Sequence, residues 1–271
     1  MKRKTIAVVM AAVAVAAASA TALVTGNAFA EDSDPSTKII GGKPASEDYP
    51  FMASLQYEKN GNPDSHRCGT ALIDDQWVLT AAHCVVNDDG TVWDPSLLHI
   101  KIGSTDNTQG TDVKIEKIVA NPDYLAGKEN SGDIALLHLA EAPDAPVIKL
   151  GGQPEVGSDV REIGWGRTVG DDPNSMPKEL QELDTKVLDN EKCVFGDEWD
   201  ITKGDVCVES PGNQAGACNG DSGSPLLQKV DGEWVTVGVD SRSGGSKCLE
   251  TDEVYTGVAH YTDWIKSTID A

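Results

Sequence analysis

Past Val24 the chain has no long apolar run, and none of its six cysteines lies before residue 60. The first absence excludes a second membrane span and leaves the N-terminus as the single candidate. Positive charge is scarce: 22 Lys and Arg stand against 44 Asp and Glu, a net charge of −22. Such a chain is a poor partner for nucleic acid or an anionic membrane and is kept soluble by its acidity. Internal repeats are absent, so a solenoid is excluded. Only the C-terminal tail has helical periodicity, with Tyr261, Trp264, Ile265, Thr268 and Ile269 on one face.

What is present begins with an export signal. Lys2, Arg3 and Lys4 precede an uncharged Ala/Val-rich run from Ile6 to Val24, and Ala28-Phe29-Ala30 supplies small residues for cleavage before Glu31. The alternative is an uncleaved anchor, although alanine is weakly apolar. Residues 31–38 are polar and acidic, end in Lys38 and give way abruptly to Ile39-Ile40-Gly41-Gly42. They read as a cleavable pro-segment or as a disordered tail. Residues 39–271 keep 18 basic and 41 acidic residues, a net charge of −23, and are numerous enough for one large unit or two small barrels. An even set of six cysteines in an exported chain points to three disulfides, with fifteen possible pairings.

Short apolar or alternating runs follow, bounded by turn residues: 51–57, 69–73, 76–81, 99–102, 113–119 and 134–140. A Pro- and acid-rich passage, 141–157, separates these from a second set at 160–164, 181–188, 205–208, 225–230, 234–239 and 254–258. Strands without interleaved helices imply an all-β barrel or sandwich architecture.

Chemistry concentrates in Ala217–Leu226, which reads Ala-Cys-Asn-Gly-Asp-Ser-Gly-Ser-Pro-Leu. Glycines flank an Asp-Ser pair, so the amides of Gly220 and Ser222 could face one point and stabilise a negative oxygen beside a nucleophilic Ser222. The same residues also make an ordinary turn. A serine hydroxyl needs a base, and the base needs an orienting carboxylate. Among five histidines, His83 has the distinctive context Leu-Thr-Ala-Ala-His-Cys. Asp133 stands at the threshold of the apolar run Ile-Ala-Leu-Leu, where a partly buried acid would need a partner such as a histidine N–H. A structural histidine and a surface turn aspartate are the bland alternatives.

Taken in order, Ile39-Ile40-Gly41-Gly42, Thr80-Ala81-Ala82-His83-Cys84, Gly132-Asp133-Ile134-Ala135-Leu136-Leu137 and Gly220-Asp221-Ser222-Gly223-Ser224-Pro225-Leu226 resemble the chymotrypsin/trypsin family of secreted serine proteases, with Gly164-Trp165-Gly166 and Val254-Tyr255-Thr256 as further landmarks. The resemblance implies two six-stranded antiparallel β-barrels, about 39–142 and 143–271, a C-terminal helix and a site in the cleft between the barrels. It implies His83, Asp133 and Ser222 as catalytic triad, and Gly220 and Ser222 as oxyanion hole. Cleavage after Lys38 would free an Ile39 amine to pair with Asp221. The implied disulfides are Cys68–Cys84, Cys193–Cys207 and Cys218–Cys248. Polypeptide substrates, an activating protease at Lys38 and protein inhibitors are the implied partners of a monomeric, extracellular enzyme without cofactor.

The chain departs from the family at the pocket that receives the residue preceding the scissile bond. Six residues before Ser222, where trypsin-like members carry aspartate, stands Gly216, whereas Glu253 replaces a glycine that usually lines the same pocket. Glu253 would favour a basic side chain, fill the pocket and select small or apolar residues, or turn out to solvent. The substrate-pairing strand reads Val239-Asp240-Ser241-Arg242-Ser243-Gly244, with Arg242 and Ser243 in place of Trp-Gly. Ser241 and Ser243 join the pocket, its neighbouring subsite is expected to be polar, and Arg242 could neutralise Glu253. The loop from Cys248 to Val254 is two residues shorter than in trypsin. Acidic ligands of the family's calcium loop are missing near Ser104–Gly110, so no metal is expected. Two rivals have discriminating features. A non-catalytic protease-like binder would typically lose His83 or Ser222, and an α/β-hydrolase esterase would need the order Ser, acid, His and a glycine at position 224.

Overall fold

The computed structural model describes residues 39–125, 132–196 and 200–271. The expected leader and pro-segment, residues 1–38, lie outside the described residues. Strand β1 (Lys43–Pro44) precedes a closed barrel formed by β2 (Met52–Lys59), β3 (Asn62–Asp74), β4 (Trp77–Thr80), β5 (Leu98–Ile102), β6 (Thr111–Ala120) and β7 (Ala135–Leu139), in the order β2-β3-β4-β7-β6-β5. A one-turn helix, α1 (Pro122–Leu125), lies between β6 and β7. Alternation fixes which face points inward: in β5, Leu98, Ile100 and Ile102 are buried while His99 and Lys101 lie on the outer face. Closure removes the sheet edges that short strands would otherwise expose.

The chain crosses through β8 (Lys149–Leu150) to a second ring made by β9 (Asp159–Gly164), β10 (Gln181–Leu188), β11 (Asp205–Val208), β12 (Pro225–Val230), β13 (Glu233–Ser243) and β14 (Glu253–Gly257). Its order is β9-β10-β11-β14-β13-β12, with β12 pairing back onto β9. The fold is therefore two closed six-stranded antiparallel barrels, as the resemblance implied. Strand β1 pairs with β10, and β8 adds a parallel pairing on β13. Helix α2 (Val258–Ile269) buries Val258, Tyr261 and Ile265 on one face and begins three residues before the periodic stretch.

Two hairpins show how local chemistry sets register. Asn60-Gly61 and Asp231-Gly232 all have positive φ, the backbone that two-residue turns need to match strand twist. Two strands run longer than their apolar patterns. The first half of β3 is mostly polar, exposed at 62–64 and half-buried at 65–67, and β13 continues past Val239 through the buried polar residues Asp240, Ser241 and Arg242. All three disulfides have the implied pairing. By constraining the unfolded chain, each contributes about 2–4 kcal/mol.

Candidate active site

His83 belongs to a single 3-10 turn, Ala82–Cys84, at the end of β4, held on one side by the Cys68–Cys84 bridge. Its backbone N–H donates to Asp133 Oδ1 at 2.9 Å, and its ring Nδ1 lies 2.7 Å from Asp133 Oδ2. Asp133, from the segment entering β7, is buried, and Oδ2 also accepts the Ser241 hydroxyl at 2.7 Å. Burial alone would raise this carboxyl, but the charge and hydrogen bonds of His83, with that hydroxyl, hold it below its ordinary value. Burial would lower His83, and Asp133 outweighs it, so the imidazole is a stronger base than a free one. Ring orientation and tautomer follow: Nδ1–H points at the acid, and Nε2, which lies 3.9 Å from Cys84 Sγ, is the nitrogen left without a proton.

Ser222 lies across that cleft, in one cavity of about 450 Å³ with His83, Asp133, Asp240, Ser241, Ser243 and Glu253. Its carbonyl accepts the Gly69 amide of the first barrel at 2.9 Å, which ties the Ser222 loop to the barrel carrying His83. The loop's peptide planes are fixed from behind. Asn219 carbonyl accepts from the Arg167 amide at 2.9 Å, and Asp221 carbonyl accepts from Ser224 at 2.9 Å. In a trans peptide the next N–H points the opposite way. The amides of Gly220 and Ser222 are thereby turned from the loop's own acceptors, and among the described residues neither donates to a protein group. Gly220 has φ of +104°, a backbone for which glycine is suited.

A histidine without a distinctive sequence context completes this support. His66, on β3, places Nε2 2.8 Å from the Gly220 carbonyl and Nδ1 2.7 Å from the Ser54 hydroxyl, with its ring edge-on to Trp165. Burial pushes it down to about 4, so it is neutral at pH 7, and the bond to Gly220 requires the proton on Nε2. Its sequence surroundings, a polar run two residues before Cys68, carried no signal of this role.

Asp221 is buried, with Oδ1 accepting the Gly166 amide at 2.7 Å and Oδ2 the Cys218 amide at 2.9 Å. Burial raises it to about 7, against those two hydrogen bonds. The Gly164-Trp165-Gly166 landmark gains its reason here: a Cβ on Gly166 would lie 2.2 Å from Asp221 Oδ2. Ile39 is buried as well, and its successor Ile40 accepts the Gly216 amide at 3.0 Å. In the uncleaved chain the Ile39 nitrogen is an uncharged peptide amide, so the expected ion pair with Asp221 belongs to a cleaved form.

Glu253 is buried at 3% exposure, not turned to solvent, and its Oε1 lies 3.5 Å from the Ser210 hydroxyl. The same oxygen is 3.6 Å from where a Cβ on Gly216 would stand, so the two positions face each other. Burial, then the neighbouring Asp240, drives this carboxyl well above its ordinary value. Arg242 directs its guanidinium to Asp205 Oδ2 at 2.7 Å, to the Asp200 carbonyl at 2.8 Å and to Ser241 Oγ at 3.0 Å. Its side chain is buried in that pair and also lines the cavity that holds Ser222 and Glu253.

A histidine paired with a buried acid and a serine lining the same cavity thus lie together on a double β-barrel. The trypsin family profile matches residues 39–265. Transmembrane protease serine 11G of mouse is 33% identical over 253 residues, covering 86% of this chain and 56% of that protein. The rat protein of the same name is 32% identical over 250 residues, covering 85% and 55%. Bovine chymotrypsin-like elastase family member 1 is 32% identical over 257 residues, covering 90% and 94%. The chain belongs to the trypsin family of serine proteases. It spans a little over half the length of the two transmembrane relatives, and no described helix is long and apolar enough to cross a membrane.

Proposed function

We propose that this chain is a secreted serine endopeptidase, made as a zymogen that is activated by cleavage after Lys38. The observation that carries the reading is the 2.7 Å contact between His83 Nδ1 and Asp133 Oδ2, made in the same cleft as Ser222. His83 Nε2 takes the Ser222 hydroxyl proton as Oγ attacks the scissile carbonyl carbon. The carbonyl oxygen becomes an oxyanion facing the amides of Gly220 and Ser222. His83 then returns the proton to the leaving amine, and a water, deprotonated in the same way, releases the acyl group. Asp133 holds the tautomer and stabilises the imidazolium.

Cleavage after Lys38 frees a cationic amine on Ile39 for Asp221, the acid beside the nucleophile. Pairing removes the cost of a lone buried carboxylate and firms the loop that carries both oxyanion amides. In the pocket, Glu253 takes over from the absent acid at Gly216 and favours lysine or arginine before the scissile bond, with Ser241 and Ser243 on the adjoining strand. Hydrolysis of a peptide library by the chain starting at Ile39, by the chain retaining residues 31–38, and by Glu253→Gln tests the reading. Equal rates for the first two would remove the zymogen, and an unchanged preference in Glu253→Gln would remove the basic pocket.

A further inference from the structure

The pocket holds a buried carboxyl that the mechanism does not use. Asp240 lines the same cavity as Ser222 and Glu253 and is 5% exposed. Its backbone is pinned to the nucleophile loop, with its amide donating to the Ser224 carbonyl and its carbonyl accepting the Gly223 amide, both at 2.9 Å. Strand β14 pairs alongside it, Asp240 opposite Tyr255 and Ser243 opposite Glu253, so the two acids project from adjacent strands of one pocket wall. A carboxyl is a poor choice for a buried wall position unless a cation visits it.

We propose that Asp240 is a second specificity-determining carboxyl: with Glu253 it receives the lysine or arginine side chain preceding the scissile bond, and the pair gives up a proton to solvent as the cation enters. The inference rests on the reading that Glu253 favours basic residues. Apart from one O–H bond, no covalent bond changes. One carboxylic O–H ionises, its proton passes to buffer, and the carboxylate takes the cationic group.

The surroundings explain why a proton is held until then. Asp221 on the nucleophile loop, Glu162 on β9, Glu253 and Tyr255 on β14 and Asp133 on the first barrel share this buried region, and His83 is the basic ring facing it. Both Glu162 oxygens are buried without a hydrogen-bond partner. Burial and then Asp221 push Asp240 up to about 8, against the pull of His83. Two ionised carboxylates, on Asp240 and Glu253, would repel each other, whereas a lysine ammonium or arginine guanidinium between them relieves both.

The test is the ratio of kcat/KM for two peptides that differ only in lysine or leucine before the scissile bond, measured from pH 6 to 9.5. The ratio divides out His83 and any general loss of activity. For the wild type it should climb with pH, by up to about tenfold per unit for one released proton, and then level. Asp240→Asn should flatten the climb and lower the plateau by about tenfold, and Glu253→Gln should abolish the preference. Calorimetry with benzamidinium in two buffers of different ionisation enthalpy should show proton release from the wild type and a smaller release from Asp240→Asn. If lysine is preferred through Glu253 but Asp240→Asn matches the wild-type ratio at every pH, Asp240 has no part and the basic-pocket reading survives. If the wild type never prefers lysine, that reading fails and takes the pair with it.

Discussion

The imidazole of His66 and the carbonyl of Gly220 are 2.8 Å apart, although 154 residues separate them in the chain. The contact joins β3 of the first barrel to the loop whose amides face the cleft. It makes the orientation of the Gly220–Asp221 peptide a property of both barrels. His66 is a positioning residue, and its removal leaves the Gly220 carbonyl without that donor. We expect His66→Leu to lower kcat by about tenfold to a hundredfold, the cost of about 1–3 kcal/mol for an unsatisfied buried group. KM should change less, and His66→Gln, which keeps an N–H, should recover part of the loss. An equal change in KM alone would contradict the role.

The short bonds from Asp133 to His83 predict the effect of removing one charge. Asp133→Asn can still accept the His83 backbone amide, but its amide nitrogen favours the wrong ring tautomer. A fall in kcat of about 10⁴-fold is expected with the thermal midpoint nearly retained. Steady-state kinetics with matched melting curves decide it.

Two residues of the pH profile have assigned directions. Asp133 holds His83 above an ordinary imidazole, and only neutral His83 can take the serine proton. In the wild type, kcat/KM should therefore fall about tenfold per unit below the His83 pKa, whichever substrate is used. Because His66 is driven down to about 4, it should leave no inflection between pH 6 and 8.

The proposed activation would link Asp221 to stability. In the uncleaved chain it titrates near 7 when folded, against about 4 in an unfolded chain, so the folded state binds the extra proton. Its contribution is present at low pH and is lost as pH rises from about 4 to 7. The proposed cleavage after Lys38 would supply a cation and reverse the sign. The thermal midpoint of the cleaved form should exceed that of Lys38→Gln at pH 8, and the gap should narrow toward pH 5. A gap independent of pH would separate Ile39 from Asp221.

Arg242 and Asp205 test a structural claim. Their side chains are buried and joined at 2.7 Å, and Asp205 Oδ2 also accepts the Thr202 amide and hydroxyl at 2.9 Å. Arg242→Met leaves a buried carboxylate without its cation and should cost about 3–5 kcal/mol by urea denaturation. Pairing it with Asp205→Asn should restore much of the loss.

The strands, the terminal helix and the motif-bearing residues were legible because short-range pattern encodes them: alternation in β5, periodicity in α2, and glycines around Ser222. His66, Asp240 and Arg242 were less so. Each has a role set by a partner far away in the chain, and each lies in a strand segment whose polar residues obscure its alternation. The sequence marks Gly216 and Glu253 as exchanged residues, but their facing geometry and the inward turn of Arg242 toward Asp205 emerge only when β11, β13 and β14 come together.

Ser222 as a nucleophile activated by His83 is best checked by treating the chain beginning at Ile39 with a fluorophosphonate and locating the adduct by peptide mass spectrometry. One phosphonyl group per chain is expected, on Ser222, with labelling abolished in Ser222→Ala and slowed by about a thousandfold or more in His83→Ala. Folded chain that hydrolyses peptides yet carries no adduct on Ser222, or labels equally fast without His83, would contradict it.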